Sequence, residues 1–470
     1  QMCIRDSLYI IWRLSFARIY GADPNPPKLF EDLALAGGET LRHLFSSMLT
    51  DTLAILVSGW GRAFDLRLAE MRQPLIALSW LGSLGLAAFL TFFLFRFYRP
   101  AEPEAAAADR FTRQALLLGA AGVLLGPAPL WLTGEHMLSL VDVYHADRFT
   151  LSAMFPASLF FTALLDWLAS RPLQKAAAFS LLVGLLAGYH LRNANDYRWL
   201  SIQQTRFYWQ FAWRVPYLER GTALLVENIL FPFQGHFATS AALNLLYPPP
   251  EPRQPTPYWF YALRPKLEKK ALLGVSLYSR TRTFEFFGTT GESLLLVYGA
   301  PPANCLWVLS PQDADNPDLS PLMQKWTAAS SLERIHPEPA PPGYPPETIF
   351  GKEPPHTWWC YFYQKAELAR QLGEWERVAA LGDEAQALGY TPQSDGANAT
   401  HEWLPFIEAY ARLNRWEDAL RLTLQNFERD DKYALQLCRR WQQLRQTTPA
   451  SAEKDAALQT VFGRLKCAEH

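Results

Sequence analysis

The sequence predicts a mainly α-helical protein in which a polytopic membrane domain precedes a small α/β domain and a helical C-terminal tail. Three observations predict this fold class. Long apolar runs separated by short charged loops fill much of the first half of the chain, short β-prone runs follow, and a helical motif occurs twice near the C-terminus. The 470 residues suffice for two or three domains.

Four apolar runs are candidates for membrane-spanning helices. The hydrocarbon core of a bilayer requires roughly 20 apolar residues per helix, with a floor near 17. Three runs reach this length, and the fourth does so if Lys175 and Arg192 extend their charged ends to the headgroups. The predicted spans cover residues 74–95, 115–132, 149–168 and 176–191.

The start of the chain resembles the translation of a sequencing adapter over residues 1–7. We therefore expect the natural N-terminus to be missing and the membrane domain to cover residues 8–214. Within it, residues 41–64 carry apolar side chains at helical spacing around charged ones such as Asp51. This pattern predicts amphipathic helices at the membrane surface or, alternatively, a further span through 44–60.

Loop charges predict which side of the membrane each segment occupies. The loop 96–113 carries four arginines, whereas the next loop, 133–148, carries one. The positive-inside rule then places the first loop in the cytoplasm and everything after residue 191 outside. Arginines flanking the first and last spans favour the opposite orientation. The expected location is the cell membrane, multi-pass, with extracytoplasmic C-terminal domains.

After the last span the chain divides into three predicted parts. Residues 215–310 contain short β-prone runs and predict a small α/β domain, and the Pro-rich residues 311–355 predict a linker. Residues 356–470 are helical. The aromatic stretch Arg192–Arg214 predicts an interfacial helix packed at the membrane surface, and a sugar-stacking platform is the alternative. The β-prone runs are Thr222–Glu227, Leu294–Tyr298 and Leu306–Leu309.

The helical tail contains an internal repeat. Residues Leu372–Ala379 align with Leu413–Leu420, with Gly373 and Asn414 at the same position and a Trp opening the helix that follows. Gly and Asn suit the left-handed position after a helix. The unit resembles the tetratricopeptide repeat, which implies a protein partner bound by the repeats.

Composition excludes several classes of function. The formal net charge is -1, so nothing indicates a nucleic-acid partner. Five cysteines show no CxxC or Cys/His spacing, so we expect no metal site, and their pairing stays open.

The loop before the third span carries the first group of candidate site residues. His145, Asp147 and Arg148 stand directly before apolar residues, and Pro156 lies inside the following helix. Arg148 can bind a lipid phosphate as a planar donor fork, oriented by Asp147 and supported by His145. Alternatively, Asp147 caps the helix while Arg148 reaches the headgroups.

Two further groups of candidates flank the other helices. His190 and Arg192 lie at the outer end of the fourth span, at the depth of the first group if the helices run antiparallel. They are a second predicted part of the lipid-phosphate or donor site, with ordinary interfacial anchoring as the alternative. Glu135 and His136 form a possible acid/base pair, and a solvated loop tip is the alternative.

The segment Ala146–Leu151 with Pro156, placed between late membrane helices, resembles the acidic–Arg–aromatic…Pro loop of GT-C superfamily glycosyltransferases. The resemblance is to the O-mannosyltransferase-like members that carry C-terminal tetratricopeptide repeats. It implies a polyprenyl-phosphate sugar donor, an extracytoplasmic active site, and a donor-phosphate contact at Arg148 with Asp147 and His145 beside it.

Two departures from the family pattern limit this resemblance. The family's catalytic acids lie in the first outer loop, which we expect upstream of residue 8. The catalytic residues therefore stay unknown, no cofactor is assigned, and a divalent metal would depend on that loop. The side chains before Pro156 are also smaller than in the family pattern.

The resulting hypothesis is a membrane-bound glycosyltransferase that uses a lipid-linked sugar. The alternative is a non-catalytic membrane-anchored scaffold whose repeats bind a protein. A transporter or polymer ligase comes last, because it would require polar residues in the middle of the spans. The sugar, the acceptor and the oligomeric state stay open.

Overall fold

The computed structural model is mainly helical, and its contacts divide the chain into two compact units, Gln1–Arg198 (unit 1) and Trp199–His470 (unit 2). The residues that the structure describes are 28–64, 73–97, 105–132, 150–227, 230–231, 234–248, 255–262, 274–281, 284–298, 305–338, 342–393 and 399–467.

The described part of unit 1 consists of helices and the short turns between them. Its first helix continues beyond Leu53 through a π-helical turn, Ala54–Ser58, and ends at Phe64. The long helix α6 begins in unit 1 and ends in unit 2 without a break. The helices are α1 (Lys28–Leu53), α2 (Pro74–Phe97), α3 (Ala105–Leu125), α4 (Ala128–Leu132), α5 (Leu151–Leu168) and α6 (Pro172–Arg214).

Three helical segments among the described residues are long and apolar enough to cross a membrane: Pro74–Phe97, Asp109–Leu132 and Leu151–Leu168. They correspond to the first three predicted spans. The fourth predicted span, 176–191, is not among them. Its apolar stretch is short, and its helix continues into polar sequence as far as Arg214.

Small residues allow helices α3 and α5 to approach closely. A Cβ atom added to Gly119 would lie 2.7 Å from the backbone nitrogen of Phe160, and one added to Gly126 would lie 3.1 Å from Ala153. Membrane helices associate mainly through such close packing, because lipid offers no hydrophobic gain for burying apolar side chains.

Unit 2 is built around a four-stranded sheet of order β3-β2-β6-β7. Strand β2 pairs parallel with β3 and with β6, while β7 is antiparallel to β6. Two short antiparallel pairs, β1–β8 and β4–β5, complete the strands of the described residues. The strands are β1 (Tyr217–Leu218), β2 (Ala223–Val226), β3 (Trp259–Ala262), β4 (Ser276–Thr281), β5 (Phe284–Thr289), β6 (Ser293–Val297), β7 (Trp307–Leu309) and β8 (Ile335–His336).

The sheet is the middle layer between two hydrophobic cores. Successive residues of a strand point to opposite faces. In β2, Leu224 enters the core that contains Phe207 and Phe211 of α6, whereas Leu225 enters the core that contains Trp359 and Phe406 of the C-terminal helices. Both faces of the central strand are therefore buried.

The helices of unit 2 surround this sheet. Where two helix pairs turn, Gly373 and Asn414 adopt positive φ angles of 74° and 59°, as the aligned sequences predict. The backbone nitrogens of Glu374 and Arg415 close both turns with matching hydrogen bonds of 2.9 and 2.8 Å. The helices are α7 (His236–Leu243), α8 (Pro321–Trp326), α9 (Glu347–Phe350), α10 (Trp359–Gln371), α11 (Trp375–Ala387), α12 (Leu404–Arg412), α13 (Trp416–Arg429), α14 (Ala434–Thr447) and α15 (Ala452–Leu465).

Two segments differ from their predicted roles. The predicted linker 311–355 contributes Met323 and Trp326 to the core, because its prolines stand at turns and helix starts while large apolar residues point inward. In the predicted interfacial helix, Phe207 and Phe211 are fully buried against the sheet of unit 2. Their aromatic rings therefore fill a protein core.

All four described cysteines form disulfides within unit 2. Cys305, before β7, pairs with Cys360 at the start of α10, with Cα atoms 5.3 Å apart. Cys438 of α14 pairs with Cys467 after α15, with Cα atoms 5.5 Å apart. The first bridge ties the edge of the sheet to the helices that cover it.

Candidate anion site at one end of the membrane helices

The predicted site residues are divided between described and undescribed parts of the chain. His190 and Arg192 lie on α6 and are described. The remaining five belong to the segment 133–149, which lies outside the described residues: Glu135, His136, His145, Asp147 and Arg148.

Stripes of small residues bring α2 and α6 together beside Arg192. A Cβ atom added to Gly184 would lie 2.9 Å from the Cβ of Ala87, and Gly188 faces Ser83. On each helix the small residues recur every four positions, so they lie on one face. The stripes are Ser79, Ser83 and Ala87 on α2 and Ser180, Gly184 and Gly188 on α6.

Arg192 is the next residue on the α6 stripe, four positions after Gly188. It is only 2% exposed, and its guanidinium lies 4.3 Å from the ring centroid of Trp80 on α2. A cation over the face of a Trp ring is attracted by the negative charge of that face. The adjacent Ser83 hydroxyl donates to the Ser79 carbonyl, so it is held in its own helix.

His190 does not share this environment. Its side chain is exposed, and its ring meets Tyr189 edge-on at 5.6 Å between centroids. The structure therefore separates the two described candidates, with Arg192 between helices and His190 on the surface.

Chain order places Arg192 at the end of the helices where α4 ends and α5 begins. Helix α5 begins at Leu151 and ends at Leu168, and α6 begins at Pro172 at the opposite end. There Lys175 pairs with Asp166, which also accepts a hydrogen bond from Thr112. At a rise of 1.5 Å per residue, the part of α6 from Pro172 to Arg192 is about 30 Å long, which is comparable to the length of α5. Arg192 therefore lies about one helix length from Pro172.

No family model, curated protein or solved structure matches this chain.

Asp51 is a buried carboxylate that sequence reasoning did not select as a site residue. It is 0% exposed on α1 and accepts a hydrogen bond of 2.8 Å from the indole nitrogen of Trp131, the next-to-last residue of α4. Trp131 lies at the C-terminal end of α4, so Asp51 reaches the same end of the helices. A single acid within the otherwise uncharged run Leu44–Gly61 was the available signal.

The described part of this end can hold an anion. A guanidinium presents a planar fork of donors that matches phosphate, and a low-dielectric environment strengthens the attraction. Asp51 is acceptor-only when ionised, so its role is to hold the helix end through Trp131. Among the described residues, no group of three or more His, Cys, Asp or Glu side chains is placed to hold a metal ion.

Unit 2 contains a different group of buried charges, which stabilises the packing of its helices. Glu408 accepts hydrogen bonds from Arg440 at 2.7 Å and from Arg412 at 3.0 Å, and Arg370 binds Glu367 through two nitrogens. Burial alone would raise the pKa of Glu408, but Arg440, Arg370 and Arg412 together lower it below its ordinary value. These acids are therefore neutralised by arginines of their own helices and, for Glu408, also by Arg440 of α14.

Glu402 has a similar structural role next to the buried disulfide. One oxygen accepts from the backbone nitrogen of Cys305 at 3.1 Å and from the indole of Trp307 at 3.0 Å, and the other accepts from the indole of Trp359 at 2.6 Å. A fully buried carboxylate with these donors connects the sheet to α10.

Proposed function

We propose that the chain is a membrane-bound glycosyltransferase of the GT-C kind that binds the phosphate of a polyprenyl-linked sugar donor. The single observation that carries this proposal is Arg192, a guanidinium buried between two apolar helices and stacked on Trp80. An ionisable residue inside a set of membrane helices is costly and marks a functional site more often than an anchor.

The chemistry of the ligand fits this position. A polyprenyl phosphate has an acyl-like chain that dissolves in hydrocarbon and an anionic head at the membrane boundary. A guanidinium at the end of the helices attracts the head, while the exposed apolar sides of α2 and α5 adjoin the chain. By sequence position, Arg148, Asp147 and His145 of the adjacent segment complete the donor site.

Two disulfides support an extracytoplasmic location of unit 2. Disulfides form and persist in oxidising compartments and are rare in the cytosol. Both bridges join elements far apart in sequence, across 55 and 29 residues. This placement agrees with the side that the loop arginines favour for everything after residue 191.

Arg192→Gln tests the donor site in membranes that contain the full chain. Transfer of radiolabelled sugar from a polyprenyl donor should fall at least about tenfold, the effect of losing a charge-assisted hydrogen bond worth about 1.5–3 kcal/mol. Arg198→Gln is the matched control, because Arg198 is exposed on the same helix. Equal loss in both variants, or none in Arg192→Gln and Arg148→Ala, contradicts the proposal.

Thiol counting tests the location independently of activity. In a Cys3→Ser background, the protein from intact cells should show four cysteines that react with a polyethylene glycol maleimide only after reduction. Four reactive thiols without reductant would place unit 2 in a reducing compartment.

The second candidate function is a membrane-anchored scaffold. The observation that favours it is the pair of matching turns at Gly373 and Asn414, which supports the proposal of a tetratricopeptide-like repeat among the C-terminal helices. Such repeats bind protein segments on a surface formed by successive helices. Full biological activity of the Arg192→Gln and Arg148→Ala variants, with loss after Arg377→Glu and Arg421→Glu at exposed positions of the repeat helices, would support the scaffold instead.

A further inference from the structure

Helix α1 and its continuation carry a continuous apolar stripe on their outer side. The side chains of the stripe follow one another at intervals of four residues and are each between 51% and 70% exposed: Leu41, Phe45, Leu49, Leu53 and Val57. Residues four apart lie on one face of a helix.

The single charge in the middle of the same helix faces inward. Asp51 is the only charged residue between Leu44 and Gly61, and it is fully buried against Trp131. A helix on the surface of a water-soluble protein has the opposite arrangement, with charges outward and apolar residues inward. This inverted pattern is what a lipid environment selects.

The inward face also packs on the candidate membrane spans. Ile55 is buried with Val123 and Ala157, and the ring of Trp60 lies 4.3 Å from that of Phe161 on α5. The end of this helix near Ile55 and Trp60 therefore packs against α5.

We propose that this stripe contacts the acyl chains of the bilayer, so that residues 44–61 form a further membrane-embedded helix with Asp51 as an intramembrane carboxylate. At 1.5 Å per residue the segment extends about 27 Å, close to the ~30 Å of a hydrocarbon core. Arg42 and Arg62 bracket it with charges that can reach the headgroups. This proposal stands apart from the sugar-transfer reaction.

Spin labels on the full chain in phosphatidylcholine nanodiscs test the proposal. In a Cys3→Ser background, the replacements Leu49→Cys, Leu53→Cys and Val57→Cys each receive one label, because the native disulfides do not react. Collision rates are measured with oxygen, which concentrates in lipid, and with a nickel chelate, which stays in water. Controls are Leu388→Cys, 53% exposed in unit 2, and the inward Ile55→Cys.

Labels on the stripe should collide with oxygen several-fold more often than with the nickel chelate, and this ratio should invert at Leu388→Cys. Nickel accessibility on the stripe equal to that at Leu388→Cys would mean that water covers it. Shielding from both reagents, as expected at Ile55→Cys, would mean that protein covers it. Either result overturns the proposal, and agreement among three positions guards against a local disturbance at one.

Discussion

Replacing Gly184 by Ala tests whether close contact between α2 and α6 builds the environment of Arg192. The added Cβ atom would lie 2.9 Å from the Cβ of Ala87 and 2.5 Å from the carbonyl oxygen of Ser83. Carbon atoms pack best at about 3.5–4.0 Å, so the overlap is close to 1 Å. One of the contacted atoms belongs to the backbone, which cannot rotate away.

The overlap forces the two helices apart by a comparable distance. Inserting one methyl group into a well-packed contact typically costs about 1–3 kcal/mol. We therefore expect Gly184→Ala to lower the free energy of unfolding by that amount and to weaken the stacking of Arg192 on Trp80, which lies two turns further along the same contact.

Reversible unfolding in mixed micelles measures the stability change, and Gly85→Ala is the matched control. Gly85 also lies in an apolar helix, but a Cβ atom there would meet nothing within 4 Å. We expect Gly85→Ala to leave the free energy of unfolding unchanged or to raise it by up to about 1 kcal/mol, because Ala favours a helix more than Gly does. If the two variants unfold alike, the close approach of α2 and α6 does not exist in the protein.

Two further predictions concern unit 2. Glu402→Ala leaves three buried N–H donors without an acceptor, so it should destabilise the full chain by about 3 kcal/mol or more in denaturant unfolding, whereas Glu402→Gln, which keeps one acceptor oxygen, should lose less. A full-sized effect from Glu402→Gln would show that charge rather than hydrogen bonding matters. Burial lowers the pKa of His401, and Asp313 only partly offsets this. The unfolded chain therefore takes up a proton first, and stability should fall by at most about 1.4 kcal/mol per pH unit below about pH 6.5. His401→Gln should remove that part of the slope, and an unchanged profile would contradict it.

Apolar runs located the membrane helices well because length and composition suffice for that purpose. The first predicted span, 74–95, matches Pro74–Phe97, and the third, 149–168, matches Leu151–Leu168. The helix that contains the fourth predicted span, 176–191, extends well beyond residue 191, because polar residues alone do not end a helix. No Gly or Pro occurs between Gly188 and Pro216, so α6 continues to Arg214.

Contacts between residues far apart in the sequence could not be predicted from local patterns. Asp51 and Trp131 are 80 residues apart, and nothing local marks their hydrogen bond. The runs over 222–227, 294–298 and 306–309 predicted strands β2, β6 and β7, whereas β3, β4 and β5 were missed. The proline content of residues 311–355 led to the prediction of a linker, although Met323 and Trp326 are core residues. A linker and a Pro-rich core segment have similar composition.

The position of the sheet between two cores limits how far unit 2 can be truncated from its C-terminus. Its C-terminal helices cover one face of the sheet, so their removal would expose that face. A chain ending near residue 350 would leave Leu225 and Leu295 open to water on one side of the central strands. Such a product should aggregate or be degraded, so any shortened relative that survives must carry polar replacements at those two positions.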